Sequence, residues 1–468
     1  MELEASSTNQ FRQDPGRPLP HREAKRVYVE TLGCAKNRVD SEIMLGALQS
    51  RGYTFTLDPA QAEVIIVNTC AFLTSASEES IERILALSDF KSSGQCEKLV
   101  CAGCLSERYR DSLMEEIPEL DGIFGSSRFH EIPALLDDLY SGRENAAVAL
   151  LPKPHYAHYE SLQRVRTTSL PSVYVKIAEG CSNMCSFCNI PFLRGYFSSR
   201  PIDSVVAEIR NFAAEGVKEI NLISQDTSSY GVDLRDGTSL ADLLGAIDSI
   251  DGDFWVRLFY AYPNTFGNAE LERMQDSRHL VPYLDMPFQH ISDRVLRDMN
   301  RRISGQEIRA KLEWLREAVP QLALRTTFIV GFPTEEEGDF EQLLTFVGEG
   351  WFDHVGVFVY SHEDNIKSAR FGDPLPNSEK RVRRRLLMEA QQRVSAERNA
   401  SRVGETYTVL VEGRSAQSDL LLQGRTAFQG PEVDGVVLIN EGQAQAGAFH
   451  RVEITEAHPY DLVGKIVP

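Results

Sequence analysis

Three cysteines fall within eight residues in Cys181-Ser-Asn-Met-Cys185-Ser-Phe-Cys188, a CxxxCxxC spacing that follows the apolar run Val173 to Ile177 and then Gly180. Three thiolates on one short loop can converge on a single inorganic centre, but they leave a tetrahedral set one ligand short. A structural zinc site prefers four protein ligands, commonly in C-x2-C pairs. The odd count and the longer first gap therefore favour an iron–sulfur cubane, with zinc the competing reading. A cubane held this way keeps one iron free for a substrate. Ser182, Asn183 and Ser186 suit hydrogen bonds to sulfide. Phe187 either packs beneath the loop or shields the cofactor.

The other cysteines are Cys34, Cys70, Cys96, Cys101 and Cys104. In a chain this long they do not describe the disulfide scaffold of a small secreted domain. Cys34 ends the run from Val27, Cys70 ends the run from Val64, and Cys104 lies just beyond Lys98-Leu-Val100. If these runs are parallel strands, their ends share the sheet edge where ligand crevices form. Taken alone, the residues leave two readings open: three converging thiols, or three small buried hydrophobes. Cys96 and Cys101 read as structural.

The elements that must position these thiols follow from periodicity. A chain of 468 residues predicts about two to four domains. Hydrophobic and charged fractions of 42% and 25% exclude wholesale disorder. No apolar run reaches the length of a membrane helix, and residues 1–26 lack the apolar core of a secretion signal, so they read as a disordered tail on a cytoplasmic protein. The net charge of −19 repels phosphate backbones and attracts a basic protein partner.

Residues 27–140 read as strand and helix units of an open parallel sheet, with helices over Ser41 to Leu48 and Ser77 to Leu87. Residues 141–172, with Pro152, Pro154 and Pro171, read as a linker. From 173 to 400 six strand-like runs alternate with helices such as Ile202 to Ala214 and Gly305 to Val319, which predicts a partial (β/α)6 barrel with its chemistry at the strand C-terminal ends. There lie the cysteine loop, Gln225-Asp-Thr, Tyr262-Pro-Asn, Gln289-His290, Gly331-Phe-Pro-Thr-Glu335 and Ser361-His-Glu363. Each alone reads as a cap or turn; their shared rim favours function as a group. Lys380-Arg-Val-Arg-Arg-Arg385 opens a long helix and reads as a solvated face. Short alternating runs over 402–468 predict a small antiparallel β-barrel.

At the CxxxCxxC loop the chain resembles the radical S-adenosylmethionine superfamily. Over about 27 to 466 it resembles the methylthiotransferase family, through Thr31-Leu-Gly-Cys-Ala-Lys-Asn-Arg-Val-Asp-Ser-Glu42, Asn68-Thr-Cys-Ala-Phe72, Gly103-Cys-Leu-Ser-Glu-Arg-Tyr109, Gly180-Cys-Ser-Asn-Met-Cys-Ser-Phe-Cys-Asn-Ile-Pro191 and Gly331-Phe-Pro-Thr-Glu335. The resemblance implies two [4Fe-4S] clusters, one on Cys181, Cys185 and Cys188 that cleaves S-adenosyl-L-methionine to a 5′-deoxyadenosyl radical, and one on Cys34, Cys70 and Cys104 that carries the sulfur to be inserted. It also implies a TRAM-like terminal barrel, an electron donor and a sulfur donor. Phe187, Gln225, Asp226 and Gly331 are expected to contact the cofactor, Gly331 by close backbone approach to adenosine.

Two subfamilies compete, one (MiaB-type) modifying an adenosine in transfer RNA and the other (RimO-type) an aspartate of small-subunit ribosomal protein twelve. Over 402–468 five basic residues, Arg402, Arg414, Arg425, Arg451 and Lys465, face nine acidic ones. An RNA-binding barrel calls for a basic patch, whereas an acidic one suits a basic ribosomal protein, with nucleic acid met only through the ribosome. Asp285-Met-Pro-Phe-Gln-His290, Gly424-Arg-Thr-Ala-Phe-Gln-Gly-Pro-Glu-Val-Asp-Gly435 and Tyr360-Ser-His-Glu363 resemble the ribosomal-protein subfamily. Thr334 and Asn365-Ile366 depart from it, where many relatives carry glycine and Gly-Thr. The expected product is 3-methylthioaspartate, formed with two S-adenosylmethionine molecules per turnover: one donates a methyl group to sulfur at the N-terminal cluster, and the second is split to the radical that abstracts hydrogen from the aspartate β-carbon, which then captures the methylthio group. The alternative of another class is a non-catalytic metal protein that binds the ribosome.

Overall fold

The computed structural model describes residues 25–126, 128–142, 147–148, 164–168 and 171–468. Nearly all of the expected N-terminal tail and most of the linker lie outside the described residues. The N-terminal sheet contains β1 (Arg26–Thr31), β2 (Thr54–Phe55), β3 (Val64–Thr69), β4 (Lys98–Gly103), β5 (Gly122–Phe124) and β6 (Ala147–Val148). Its strands are all parallel, in the order β2-β1-β3-β4-β5-β6. The last strand comes from the stretch read as linker. Central β3 is buried throughout, Val64-Ile-Ile-Val being apolar on both faces as a covered parallel strand must be.

Next comes β7 (Ser172–Lys176), then the small hairpin of β8 (Ala178–Glu179) and β9 (Ser198–Ser199) that frames the cysteine loop. The central sheet continues with β10 (Glu219–Ile223), β11 (Trp255–Leu258), β12 (Leu280–Asp285), β13 (Ala323–Val330) and β14 (His354–Val359). These six strands follow one another in space, all parallel and open between β7 and β14. This is the expected partial barrel. Helices Ile202–Ala214, Leu240–Asp248, Gly305–Ala318 and Glu337–Gly348 cover one face through Ile209, Leu244, Leu312 and Leu343. The other face carries Tyr174, Phe259, Val281 and Tyr283, and these pack with Val39, Met44, Phe129 and Leu136 of the N-terminal domain. The two domains therefore share one core, which makes their docking part of folding rather than a loose encounter.

The terminal barrel closes through β15 (Thr406–Ser415), β16 (Ser418–Thr426), β17 (Val437–Glu441), β19 (Leu462–Ile466) and β18 (Ala448–Ala457). It is not wholly antiparallel: β17 and β19 run parallel. The short fifth strand, interrupted by Gly464, enters between β17 and β18 to complete the ring. The Gly424–Gly435 segment plugs this barrel into the central sheet. Buried Arg425 and Arg257 both grip Glu219, with Arg425 Nη2 2.5 Å from Glu219 Oε2 and Arg257 Nη2 3.0 Å from Oε1. Burial raises the Glu219 carboxyl, but the two guanidinium groups pull it further the other way, to about 2.

The basic run opening helix Asn377–Ala400 is only half a solvated face. Lys380 and Arg383 are buried, Lys380 paired with Asp373 and Arg383 with Glu335 at 2.5 Å, because both sit on the stripe facing β13 and its following loop. Arg381, Arg384 and Arg385 face solvent. Among the described residues no helix is long and apolar enough to cross a membrane.

Candidate functional site

The strand ends bring Cys34, Cys70 and Cys104 together. Cys34 sits at the start of the helix Ala35–Gln49 that follows β1, Cys70 follows β3, and Cys104 follows β4. Gly33, at φ 89°, lies so close that a Cβ there would stand 2.7 Å from Cys70 Cβ. Gly103, at φ 94°, is likewise pressed on Asn68 Oδ1. Only glycine suits these two turns, which pull neighbouring strand ends into contact. Asn37 Nδ2 donates to both Leu32 O (2.7 Å) and Thr69 O (3.0 Å), and Asn68 Nδ2 donates to Asn37 O (2.8 Å), so the β1 and β3 ends are stitched to one helix turn. Each thiol lies within electrostatic reach of the others. Burial pushes the Cys104 thiol up to about 12 against the pull of Arg194, and burial also raises Cys70. Ligation at this site must release protons.

The contiguous trio is held by the barrel rim. Asn183 Nδ2 donates to Cys181 Sγ (3.5 Å) and to Asp226 Oδ2 (2.7 Å). Ser186 N and Oγ donate to Met299 O (3.0 Å) and Asp298 O (2.7 Å), and Asn300 Nδ2 donates to Met184 O (2.9 Å). Arg301 Nη1 donates to Cys185 Sγ at 3.5 Å. Burial pushes Cys181 up to about 11 and raises Cys188 further still. Among the described residues no three Cys, His, Asp or Glu side chains form a group tight enough for one metal ion. Three thiolates at a time are the donor set of a cubane with one open iron rather than of a four-ligand zinc site.

A short path joins the trios. Cys181 N donates to Gly195 O (3.2 Å), and the adjoining Arg194, buried, reaches back to the assembled trio, where its guanidinium lies within electrostatic reach of Cys104 and Cys34. Arg194 Nη1 also donates to Asp40 Oδ2 (2.7 Å), and Lys176 Nζ donates to Glu179 Oε2 (2.6 Å) and to Asp40. Burial penalises the Glu179 charge, but Lys176 and Arg194 hold its carboxyl below the ordinary range. These four charges come from both domains and balance in sign. Sequence reasoning did not pick out Arg194, Asp40, Lys176, Glu179 or Arg301, since nothing in spacing links residues so far apart along the chain. The Arg194 position just past the CxxxCxxC loop was the one available signal.

Of the expected cofactor contacts, Asp226 is buried and accepts from Asn183, Ser228 and Ser229, so it anchors the cysteine loop. Gln225 Nε2 donates to Glu179, leaving a buried Oε1 without a hydrogen-bond partner. Phe187 packs against a cluster of Val295, Met299, Phe332 and Tyr360, the packing reading of that residue. Gly331 has φ 74°, and the space of a Cβ there is filled by the Lys380 stem, a reason for glycine independent of adenosine. Glu363 accepts from Thr74 N (2.8 Å) and Arg108 Nη2 (2.6 Å), a tie between domains. Asn365 does not use the left-handed backbone that asparagine tolerates. The Thr334 hydroxyl is buried without a partner. Cys96 and Cys101 are buried in the N-terminal core, as expected.

Three family descriptions match the chain: Uncharacterized protein family UPF0004 over residues 26–125, the Radical SAM superfamily over 175–347 and the TRAM domain over 403–467. The chain is 46% identical over 444 residues to "Ribosomal protein uS12 methylthiotransferase RimO" of Anaeromyxobacter sp. (strain K), covering 95% of this chain and 94% of that one. Proteins of the same description from Syntrophotalea carbinolica and Bdellovibrio bacteriovorus are each 45% identical, covering 95% of this chain and 97% and 98% of theirs. Among solved structures, the radical S-adenosylmethionine methyltransferase TsrM from Kitasatospora setae superimposes with a TM-score of 0.54 at 12% identity, over 74% of each chain, a likeness of fold.

Proposed function

This chain belongs to the ribosomal protein uS12 methylthiotransferase family, and from that premise we propose that it adds a methylthio group to the β-carbon of an aspartate of uS12, a basic small-subunit ribosomal protein, in the cytoplasm. The observation that carries this reading is the pair of all-thiol trios joined through Gly195 and Arg194. When bound, a [4Fe-4S] cluster at Cys181, Cys185 and Cys188 with S-adenosylmethionine supplies a radical able to take hydrogen from an unactivated carbon, and a second cluster at Cys34, Cys70 and Cys104 supplies sulfur.

The protein's own residues hold and orient. Asn183 and Arg301 donate to thiol sulfur of the loop trio, and Arg194 places its charge within reach of the assembled trio, the kind of surrounding contact that tunes a ligated centre. Asp226 fixes Asn183, and Gln225 offers its free Oε1 at the same rim. The balanced charges of Arg194, Lys176, Asp40 and Glu179 lock the two domains at one spacing and keep water out between them. Cys181, Cys185 and Cys188 would hold the group that supplies the radical and Cys34, Cys70 and Cys104 the group that supplies sulfur, with Arg194 and its charge partners fixing the two domains that carry them.

The terminal barrel supports a protein substrate. Arg425 is consumed by Glu219, Arg402 by Asp353 and Lys465 by Glu453, which leaves Arg414 and Arg451 as the exposed arginines of the barrel. The TRAM match favours RNA contact, which here is contact with ribosomal RNA beside uS12. The test offers the anaerobically reconstituted protein, with S-adenosylmethionine and reductant, either small ribosomal subunits or transfer RNA. Mass gain of one methylthio group on uS12 is expected. Gain on transfer RNA alone overturns the reading, and absence of 5′-deoxyadenosine release overturns catalysis.

A further inference from the structure

Buried cations among the described residues, Lys176, Arg194, Arg257 and Arg425 included, meet an aspartate or glutamate, with two exceptions: Lys36 and Arg301. Lys36 is 8% exposed, and its Nζ rests 3.1 Å from the centre of the Tyr260 ring, with no ion pair to a carboxylate among the described residues. Arg301 is 4% exposed; its guanidinium lies 4.3 Å from the Tyr262 ring, and its Nε has no hydrogen-bond partner. Both tyrosines stand on the segment leaving the C-terminal end of β11, two residues apart, and Tyr260 takes the left-handed backbone at φ 61°.

The two exceptions divide between the trios. Arg301 donates to Cys185, while Lys36 lies two residues past Cys34 in the first turn of its helix. A lysine is rarely buried without a partner, since an isolated ammonium out of water is strongly disfavoured. An aromatic face offsets only part of that cost. An anion that arrives with the substrate would complete the site.

Resting on the aspartate reading above, we propose that Lys36 is the binding group for the side-chain carboxylate of the substrate aspartate. The β-carbon is bonded directly to that carboxylate, so fixing the anion fixes the hydrogen to be removed and the face that receives sulfur. The Tyr260 face holds the Lys36 ammonium just beyond the C-terminal end of β11. Lys36 also discriminates: an asparagine in place of the aspartate presents no charge and leaves the buried ammonium unpaired, the circumstance in which a polar site rejects an analogue strongly.

The test measures binding of two peptides spanning the uS12 target, one with aspartate and one with asparagine, by fluorescence anisotropy on the anaerobically reconstituted protein. The unsubstituted protein should prefer the aspartate peptide by about 10- to 100-fold, the range of a buried charge-assisted pair. Lys36→Met should bind both peptides alike while keeping its iron and sulfide content, and Lys36→Arg should keep most of the preference. If Lys36→Met fails to hold iron, Lys36→Gln carries the same comparison. Retention of the preference without Lys36, or its absence from the unsubstituted protein, overturns the assignment. Failure of the function reading shows separately, as unmodified uS12 in the mass measurement.

Discussion

Cys181, Cys185 and Cys188 occupy one loop of eight residues, whereas Cys34, Cys70 and Cys104 stand at three strand ends of another domain. The loop trio is pinned by hydrogen bonds within the central domain, from Asn183 to Asp226, Ser186 to Asp298 and Asn300 to Met184. The assembled trio depends on sheet register, on two glycine turns, and on an arginine that arrives from the neighbouring domain. One centre is therefore a local structure, and the other is gathered by sheet pairing with one charge supplied across the domain interface. Perturbing the interface should injure the assembled trio first.

The largest effect comes from removing a thiol. Cys104→Ala should lower iron from about eight to about four per chain and abolish methylthiolation while 5′-deoxyadenosine is still released; Cys188→Ala should lose the same iron and the release as well. Iron and sulfide counts with chromatographic detection of 5′-deoxyadenosine check both. If the two variants behave alike, the division of labour between the trios is wrong.

Arg194→Met should be next in size. It leaves Asp40 and Glu179 to share Lys176 alone in the interior, one buried charge uncompensated, a loss of about 3 kcal/mol in chemical unfolding. Iron loss should fall on the assembled trio, leaving the loop trio's spectroscopic signal in place. Equal loss from both would mean that docking supports them equally.

Glu219 gives a control remote from both trios. With its carboxyl near 2 in the folded chain and an ordinary value of 4.5, its contribution is complete above about pH 4.5 and disappears as pH falls towards 2. That contribution is about 3 kcal/mol. Scanning calorimetry of the protein between those pH values should show the loss, and Glu219→Gln should flatten it. Smallest is Glu363→Gln, which weakens the tie to Thr74 and Arg108 by about 1–3 kcal/mol and should loosen the assembled trio slightly more than the loop trio. Hydrogen exchange at residues 70–75 reads this directly.

The same contrast explains what was legible in the chain. CxxxCxxC is a spacing, and strands such as Val64–Thr69 and helices such as Ile202–Ala214 announce themselves by periodicity. Convergence of Cys34, Cys70 and Cys104 needed either the family motifs or the fold, because strand pairing is non-local. Arg194, Lys176 and Lys36 were invisible as special, since a basic residue's partners across a domain interface leave no local pattern. Lys380 and Arg383 misled for the same reason: a run of charges looks solvated until the helix's buried stripe and its distant carboxylates are known. The barrel reads as wholly antiparallel because hairpins are local, whereas β19 pairs in parallel with the non-adjacent β17.

The central claim is that two thiol trios, one local and one assembled, act as separate centres on a single uS12 aspartate. Intact-mass analysis of uS12 after reaction with the unsubstituted protein and with a variant lacking Cys34, Cys70 and Cys104 tests it most directly. The account predicts one methylthio group replacing one hydrogen in the first case, and unmodified mass with continued 5′-deoxyadenosine release in the second. Methylthiolated uS12 from the variant would contradict it.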